Sequence, residues 1–209
     1  MSSSKRARGG IWAQFFVAEP GQTVAVPPGG RVDRYRVEAV HPRVGAAAGG
    51  VEPGMTVVRV EAPEPQAPWG RRFSAVGVVQ HVVYTDAEKR RELASISAGE
   101  RGPRAVLIPI SKSEAWWAMA QDERERFFRR SPDRPGHVEI GTRHAGSIFR
   151  RLYHARYQPG SQWDFLTYFE LAEDDTDAFR ALLAELRDPA LNPEWQYVER
   201  ETEIWMMKM

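Results

Sequence analysis

The stretch Ser131-Pro132-Asp133-Arg134-Pro135-Gly136 limits the fold of this chain more than any other. Residues 121–130 before it read as a charged helix that turns Phe127 and Phe128 toward the core. Both prolines lack a backbone donor and crowd the preceding turn, so that helix cannot pass through them. His137 therefore opens a new segment, to which Ile140, Ala145 and Ile148 give an apolar side.

The flanks of this break have readable order. Residues 105–110 (Ala105-Val106-Leu107-Ile108-Pro109-Ile110) form a buried strand that ends as polar residues take over at Ser111. Ser111-Lys112-Ser113-Glu114 matches a capping box, which starts a helix there and puts Trp116 and Trp117 in its first turns. Beyond His137, residues 150–157 alternate as a strand, Pro159-Gly160-Ser161 makes a turn, and residues 163–171 form a second strand, together a hairpin. Phe179, Leu182, Leu183 and Leu186 recur at helical spacing over 174–186. After Asn192-Pro193, residues 195–208 supply a last strand. The order strand, helix, helix, strand, strand, helix, strand predicts a ferredoxin-like α+β unit with helices on one face of an antiparallel sheet.

Residues 11–83 are rich in valine, glycine and proline. Strands are expected at Val24-Ala25-Val26, over 35–40, over 56–62 and over 73–84. Pro27-Pro28-Gly29-Gly30, Gly49-Gly50 and residues 63–68 are the turns between them, and residues 46–50 read as a flexible loop. Residues 85–93 read as a short helix capped by Thr85 or Asp86. The basic start and brief apolar run, interrupted by Gln14, lack a small-residue cleavage site and read as a frayed tail over 1–10. No stretch reaches the length of a membrane span, so the expectation is a soluble, cytoplasmic protein.

Composition narrows the chemistry. The 209 residues suit one globular body, and 29 Lys+Arg against 28 Asp+Glu leave no global field for nucleic acid or a membrane surface. With no cysteine, disulfides, thiolate metal sites, iron–sulfur clusters and a cysteine nucleophile are excluded. Five histidines are present, at 41, 81, 137, 144 and 154, and no two have a zinc-site spacing. Taken singly, a histidine is an ordinary hydrogen-bonded residue, a tryptophan pair is core, and a lysine such as Lys112 is solvated. The residues alone give a soluble α+β protein with a His/Arg pair.

The pieces gain meaning together. Ile108-Pro109-Ile110, Lys112, Trp116-Trp117, His137-Val138, Ile140-Gly141, Arg150-Arg151-Leu152-Tyr153-His154, Asp164 through Glu170, and Pro193-Glu194-Trp195 with Tyr197-Val198-Glu199 resemble the chlorite dismutase family, in its shorter, dimeric branch. The likeness is good over 84–209 and weak before that. It implies two ferredoxin-like halves, a dimeric α+β barrel: residues 11–100 degenerate and without cofactor, residues 101–209 binding heme b.

The resemblance makes His137 the proximal ligand of the heme iron and Arg150 the distal catalytic residue. Thirteen residues of straight helix would span about 20 Å, so a helix-to-strand reversal must bring the two to opposite heme faces. The likeness also puts Glu194 on the other ring nitrogen of His137, Lys112 in the same proximal network, Trp116 beside the heme and its propionates, and Tyr84 at the cofactor edge. The implied reaction converts chlorite to chloride and dioxygen in a homodimer. Two features depart from the family: the prolines before His137, and Ala94-Ser95-Ile96-Ser97 where a distal glutamine is usual. The competing readings are a heme carrier or sensor without turnover, a coproheme decarboxylase, and a dimer of this fold with no cofactor. Tryptophans and Arg150 argue against the decarboxylase.

Overall fold

Strand alternation decides the architecture. In the computed structural model, which describes residues 11–64, 73–79, 102–143 and 148–209, eight strands form. They are β1 (Trp12–Val17), β2 (Arg31–Val44), β3 (Thr56–Ala62), β4 (Ser74–Val79), β5 (Arg104–Lys112), β6 (Ile148–His154), β7 (Phe165–Leu171) and β8 (Val198–Lys208). All pairings are antiparallel, and the ring runs β1-β3-β2-β8-β5-β7-β6-β4 and closes. Closure leaves no free edge to pair with another chain. The two runs β1–β4 and β5–β8 have the same lateral order: fourth, first, third, second.

Successive side chains on a strand point to opposite faces. Phe15, Tyr35, Val57, Leu107, Tyr168 and Ile204 share the barrel interior. Their neighbours Val106, Ile108, Phe169 and Trp205 point outward, under helices. Four helices are described: α1 (Glu114–Ala118), α2 (Gln121–Phe128), α3 (Gly136–Arg143) and α4 (Thr176–Arg187). Ile140 of α3 and Phe179, Leu182 and Leu183 of α4 cover the outer face of the β5–β8 arc. Phe179 is fully buried there, worth about 1.5–3 kcal/mol. No described helix is long and apolar enough to cross a membrane.

Most expected elements form, and the shifts have physical causes. Val24-Ala25-Val26 is not a strand: β1 already pairs with β3 and β4, so no edge was left, and Val24 instead packs on Phe16, Val58 and Val60 outside the barrel. The loop over 46–50 is pinned in its middle, where buried Ala48 donates its N–H to Thr202 Oγ1 at 3.1 Å. α1 is capped by Ser113 rather than Ser111, because β5 runs on to Lys112. The last strand starts at Val198, since Pro193 begins a 3-10 turn, Pro193–Tyr197. The expected helix over 85–93, Tyr84 and residues 94–97 lie outside the described residues.

Candidate functional site

The site grows from the end of β5. Its register against β8 shifts between Ser111 and Lys112, and the Lys112 N–H donates to Asp164 Oδ2 at 2.7 Å. Lys112 is not solvated: it is 6% exposed. Its Nζ lies 2.5 Å from Glu194 Oε1 and 4.6 Å from the centre of a Trp116 ring. Glu194 sits in the 3-10 turn before β8, and its second oxygen stands 2.9 Å from His137 Nδ1. That approach lies off the line of the ring N–H, a close polar contact rather than a straight hydrogen bond. Burial alone would raise the Glu194 pKa, but Lys112 and then His137 outweigh it and hold the carboxyl well below the usual range.

Three features fix His137 at the start of α3. Glu194 takes Nδ1, and the Phe128 ring meets the imidazole edge-on with centroids 5.5 Å apart. The third is Gly136, with φ +74°, where a Cβ would lie 2.5 Å from the Arg129 carbonyl oxygen. Only glycine fits this corner without strain. Ser131 and Arg134 bridge across Pro132 and Asp133, so the break forms a closed loop that leads through Pro135 into α3. Trp116 has almost no exposed surface of its own; it meets the site through Lys112 and Phe128, and also packs on Phe127 and Tyr197.

Arg150 lies on β6 opposite Phe169 of β7, between the inward-facing Phe149 and Arg151. It is exposed by area, yet the protein around it desolvates it enough to lower its pKa, with Glu194 as the charge that opposes this. Among the described residues Arg150 makes no hydrogen bond or ion pair, and it keeps its charge at any physiological pH.

Asp164 was missed as a site residue by sequence reasoning, although it stands in one of the quoted motifs. Its Oδ2 accepts from Lys112 N–H and from Trp117 Nε1 (3.1 Å), and its Oδ1 accepts from Arg156 (3.0 Å). It joins β5, α1 and the β6–β7 turn at the corner that presents Lys112. A carboxylate directly after Trp163, at the turn into a strand, was the available signal. Among the other histidines, His41 is exposed and His154 packs among Trp117, Phe165 and Tyr157; His81 and His144 lie outside the described residues.

The donor set suits one cofactor chemistry. No group of three or more His, Asp or Glu able to hold a bare metal ion occurs among the described residues. One imidazole, engaged at Nδ1 by Glu194 and with no hydrogen bond at Nε2 among the described residues, fits an iron held mainly by a macrocycle. An arginine without a protein partner among the described residues, within electrostatic reach of Glu194, fits an anionic ligand.

No family model matches the chain. Its structure is similar to that of a dimeric chlorite dismutase from Nitrobacter winogradskyi, at 30% identity and TM-score 0.71, over 94% of this chain and 99% of that one. The chain belongs to the chlorite dismutase family. Chlorite dismutase from Candidatus Nitrospira defluvii in complex with imidazole has the same fold at 20% identity and TM-score 0.64, over 96% of this chain and 90% of that one. An arginine-to-lysine variant of that enzyme gives 19% identity and TM-score 0.65, over 97% and 92%. The likeness to a chlorite dismutase thus covers the β1–β4 half as well as the part whose motifs carried the resemblance.

Proposed function

We propose that this chlorite dismutase family member binds heme b and decomposes chlorite to chloride and dioxygen, with His137 as the proximal ligand and Arg150 as the distal catalytic residue. The observation that carries the reading is the Lys112–Glu194–His137 chain, buried at its lysine and carboxylate and half-buried at its imidazole, with Arg150 in electrostatic reach of Glu194. When bound, heme supplies the redox-active iron at which chlorite gives up its oxygen atoms. Glu194 holds the His137 proton on Nδ1, which leaves the Nε2 lone pair for ligation and makes the imidazole a stronger donor. Lys112 keeps Glu194 anionic, so that proton stays shared rather than lost to the carboxylate. Arg150 attracts the chlorite anion and holds it as a fixed cation with several donors, needing little reorganisation during reaction.

The repeated strand order supports two ferredoxin-like halves, 11–100 and 101–209, with the cofactor confined to the second. Trp116 backs the proximal side through Lys112 and Phe128, and Tyr84 borders the cofactor edge. The dimeric Nitrobacter relative supports a homodimer.

An oxygen electrode tests the reading. Heme-loaded protein given chlorite should release oxygen, and Arg150→Ala should cut the rate by about 10²–10³-fold while keeping heme. Heme binding without any oxygen release in the unaltered protein would move the site to a carrier or sensor.

A further inference from the structure

A second polar cluster lies inside the barrel, on the face of β6 and β7 opposite Arg150. At its centre Arg59, fully buried, donates to Asp33 Oδ2 (3.2 Å), Glu61 Oε2 (2.7 Å) and the Tyr153 hydroxyl (3.0 Å). Beside it the Tyr168 hydroxyl stands 2.6 Å from Glu170 Oε1 and 2.6 Å from the Tyr35 hydroxyl. All three residues are at most 2% exposed. A phenol has one proton to give. Tyr168 gives its proton to the carboxylate, so Tyr35 must donate to Tyr168, and the chain runs Tyr35 to Tyr168 to Glu170.

The Arg59 guanidinium lies 4.4 Å from the centre of the Tyr168 ring. A cation over the ring opposes a second positive charge there. An electron can therefore leave Tyr168 readily only if the phenolic proton leaves with it, and Glu170 is placed to take it. Burial raises the pKa of Tyr168, and that of Tyr35 to about 12, so neither ionises beforehand at neutral pH.

We propose that Tyr168 is a redox-active residue that gives one electron to oxidised heme through the sheet while passing its proton to Glu170. For its oxidant this rests on the heme reading above. The O–H bond of Tyr168 breaks, the electron reduces the oxidised heme by one equivalent, and the proton goes to Glu170 Oε1. The neutral phenoxyl left behind keeps the hydrogen bond from Tyr35. A soluble one-electron reductant such as ascorbate returns the electron, and Glu170 returns the proton. Met206 lies in the same buried cluster as Tyr168, so such a drain would keep stray oxidising equivalents off its sulfur.

Two arms of freeze-quench electron paramagnetic resonance test this on the full chain. In the heme-free protein, azide radical supplies the oxidant; in the heme-loaded protein, peracetic acid does. The first arm should give a neutral tyrosyl signal that is lost in Tyr168→Phe and kept in Tyr157→Phe, whose parent residue is exposed. In Tyr35→Phe the signal should persist, with its largest g component shifted upward as the hydrogen bond to the radical oxygen disappears. A purely structural role for Tyr35 would not move that value. A signal indifferent to Tyr168→Phe, or unshifted in Tyr35→Phe, overturns the proposal. In the second arm the same signal should appear, and its absence from heme-loaded protein that keeps the first-arm signal overturns electron transfer to heme. Failure to load heme would count against the proposed function instead, while the first arm still decides whether Tyr168 is redox-active.

Discussion

Glu194 bridges Lys112 and His137, with one oxygen 2.5 Å from the lysine Nζ and the other 2.9 Å from the imidazole Nδ1. One buried carboxylate thus ties the end of β5 to the start of α3, two elements separated in sequence by the whole α1–α2 segment and the proline loop. Among the charges acting on Glu194, Lys112 is the stronger.

Lys112→Met leaves Glu194 buried with His137 as its remaining partner. Removing one member of a buried pair costs about 3–5 kcal/mol, so the loss should be plain in urea unfolding at neutral pH. The pH dependence follows from the direction of the shift. The folded-state pKa of Glu194 lies below its ordinary 4.5, so its contribution is fully present above that value and lost as pH falls through the folded pKa. In the variant that pKa rises, and the acid unfolding midpoint should move to higher pH. An unchanged midpoint would mean that the lysine contributes nothing to the carboxylate's charge.

Gly136→Ala forces a Cβ to within 2.5 Å of the Arg129 carbonyl at a positive φ. A destabilisation of at least about 1–2 kcal/mol is expected, together with weaker heme binding as His137 is pushed away. Gly141→Ala is the internal control: its Cβ meets nothing within 4 Å in the same helix, and stability should rise by up to about 1 kcal/mol. Thermal melts of the two variants check both signs.

Asp164→Ala removes the acceptor shared by Lys112 N–H, Trp117 Nε1 and Arg156. Leaving buried donors unmet costs about 1–3 kcal/mol each. Tryptophan emission should shift to the red as Trp117 loosens from Phe165, on which its ring now stacks with centroids 5.8 Å apart. Heme affinity should fall with it, since the same carboxylate places Lys112. Unaltered emission and affinity would reduce Asp164 to a surface contact.

What the sequence revealed was local. Apolar, β-branched and aromatic runs between turn residues found β3 and the β6–β7 hairpin, and the spacing of Phe179, Leu182 and Leu183 found α4, because each pattern is set by what that element itself buries, both faces of β3 and β7 and one face of α4. A barrel was implied by the family resemblance but not by the local pattern, since closure depends on β2 meeting β8 and β4 meeting β6, pairings between residues far apart in the chain. Closure also explains why Val24-Ala25-Val26, with strand-like composition, found no edge to join. Ser111 and Ser113 offer similar caps, and only the β5 pairing through Lys112 chooses between them. The burial of Lys112 could not be seen either: a lysine is solvated by default, and its partner lies 82 residues away.

A heme titration of His137→Ala, followed by the Soret band beside the unaltered protein and with added imidazole, tests the central claim most directly. The account predicts that tight binding is lost in the variant and partly restored when imidazole fills the space left by the side chain, with His154→Ala behaving as the unaltered protein does. Heme binding of unchanged affinity and unchanged spectrum in His137→Ala would contradict it.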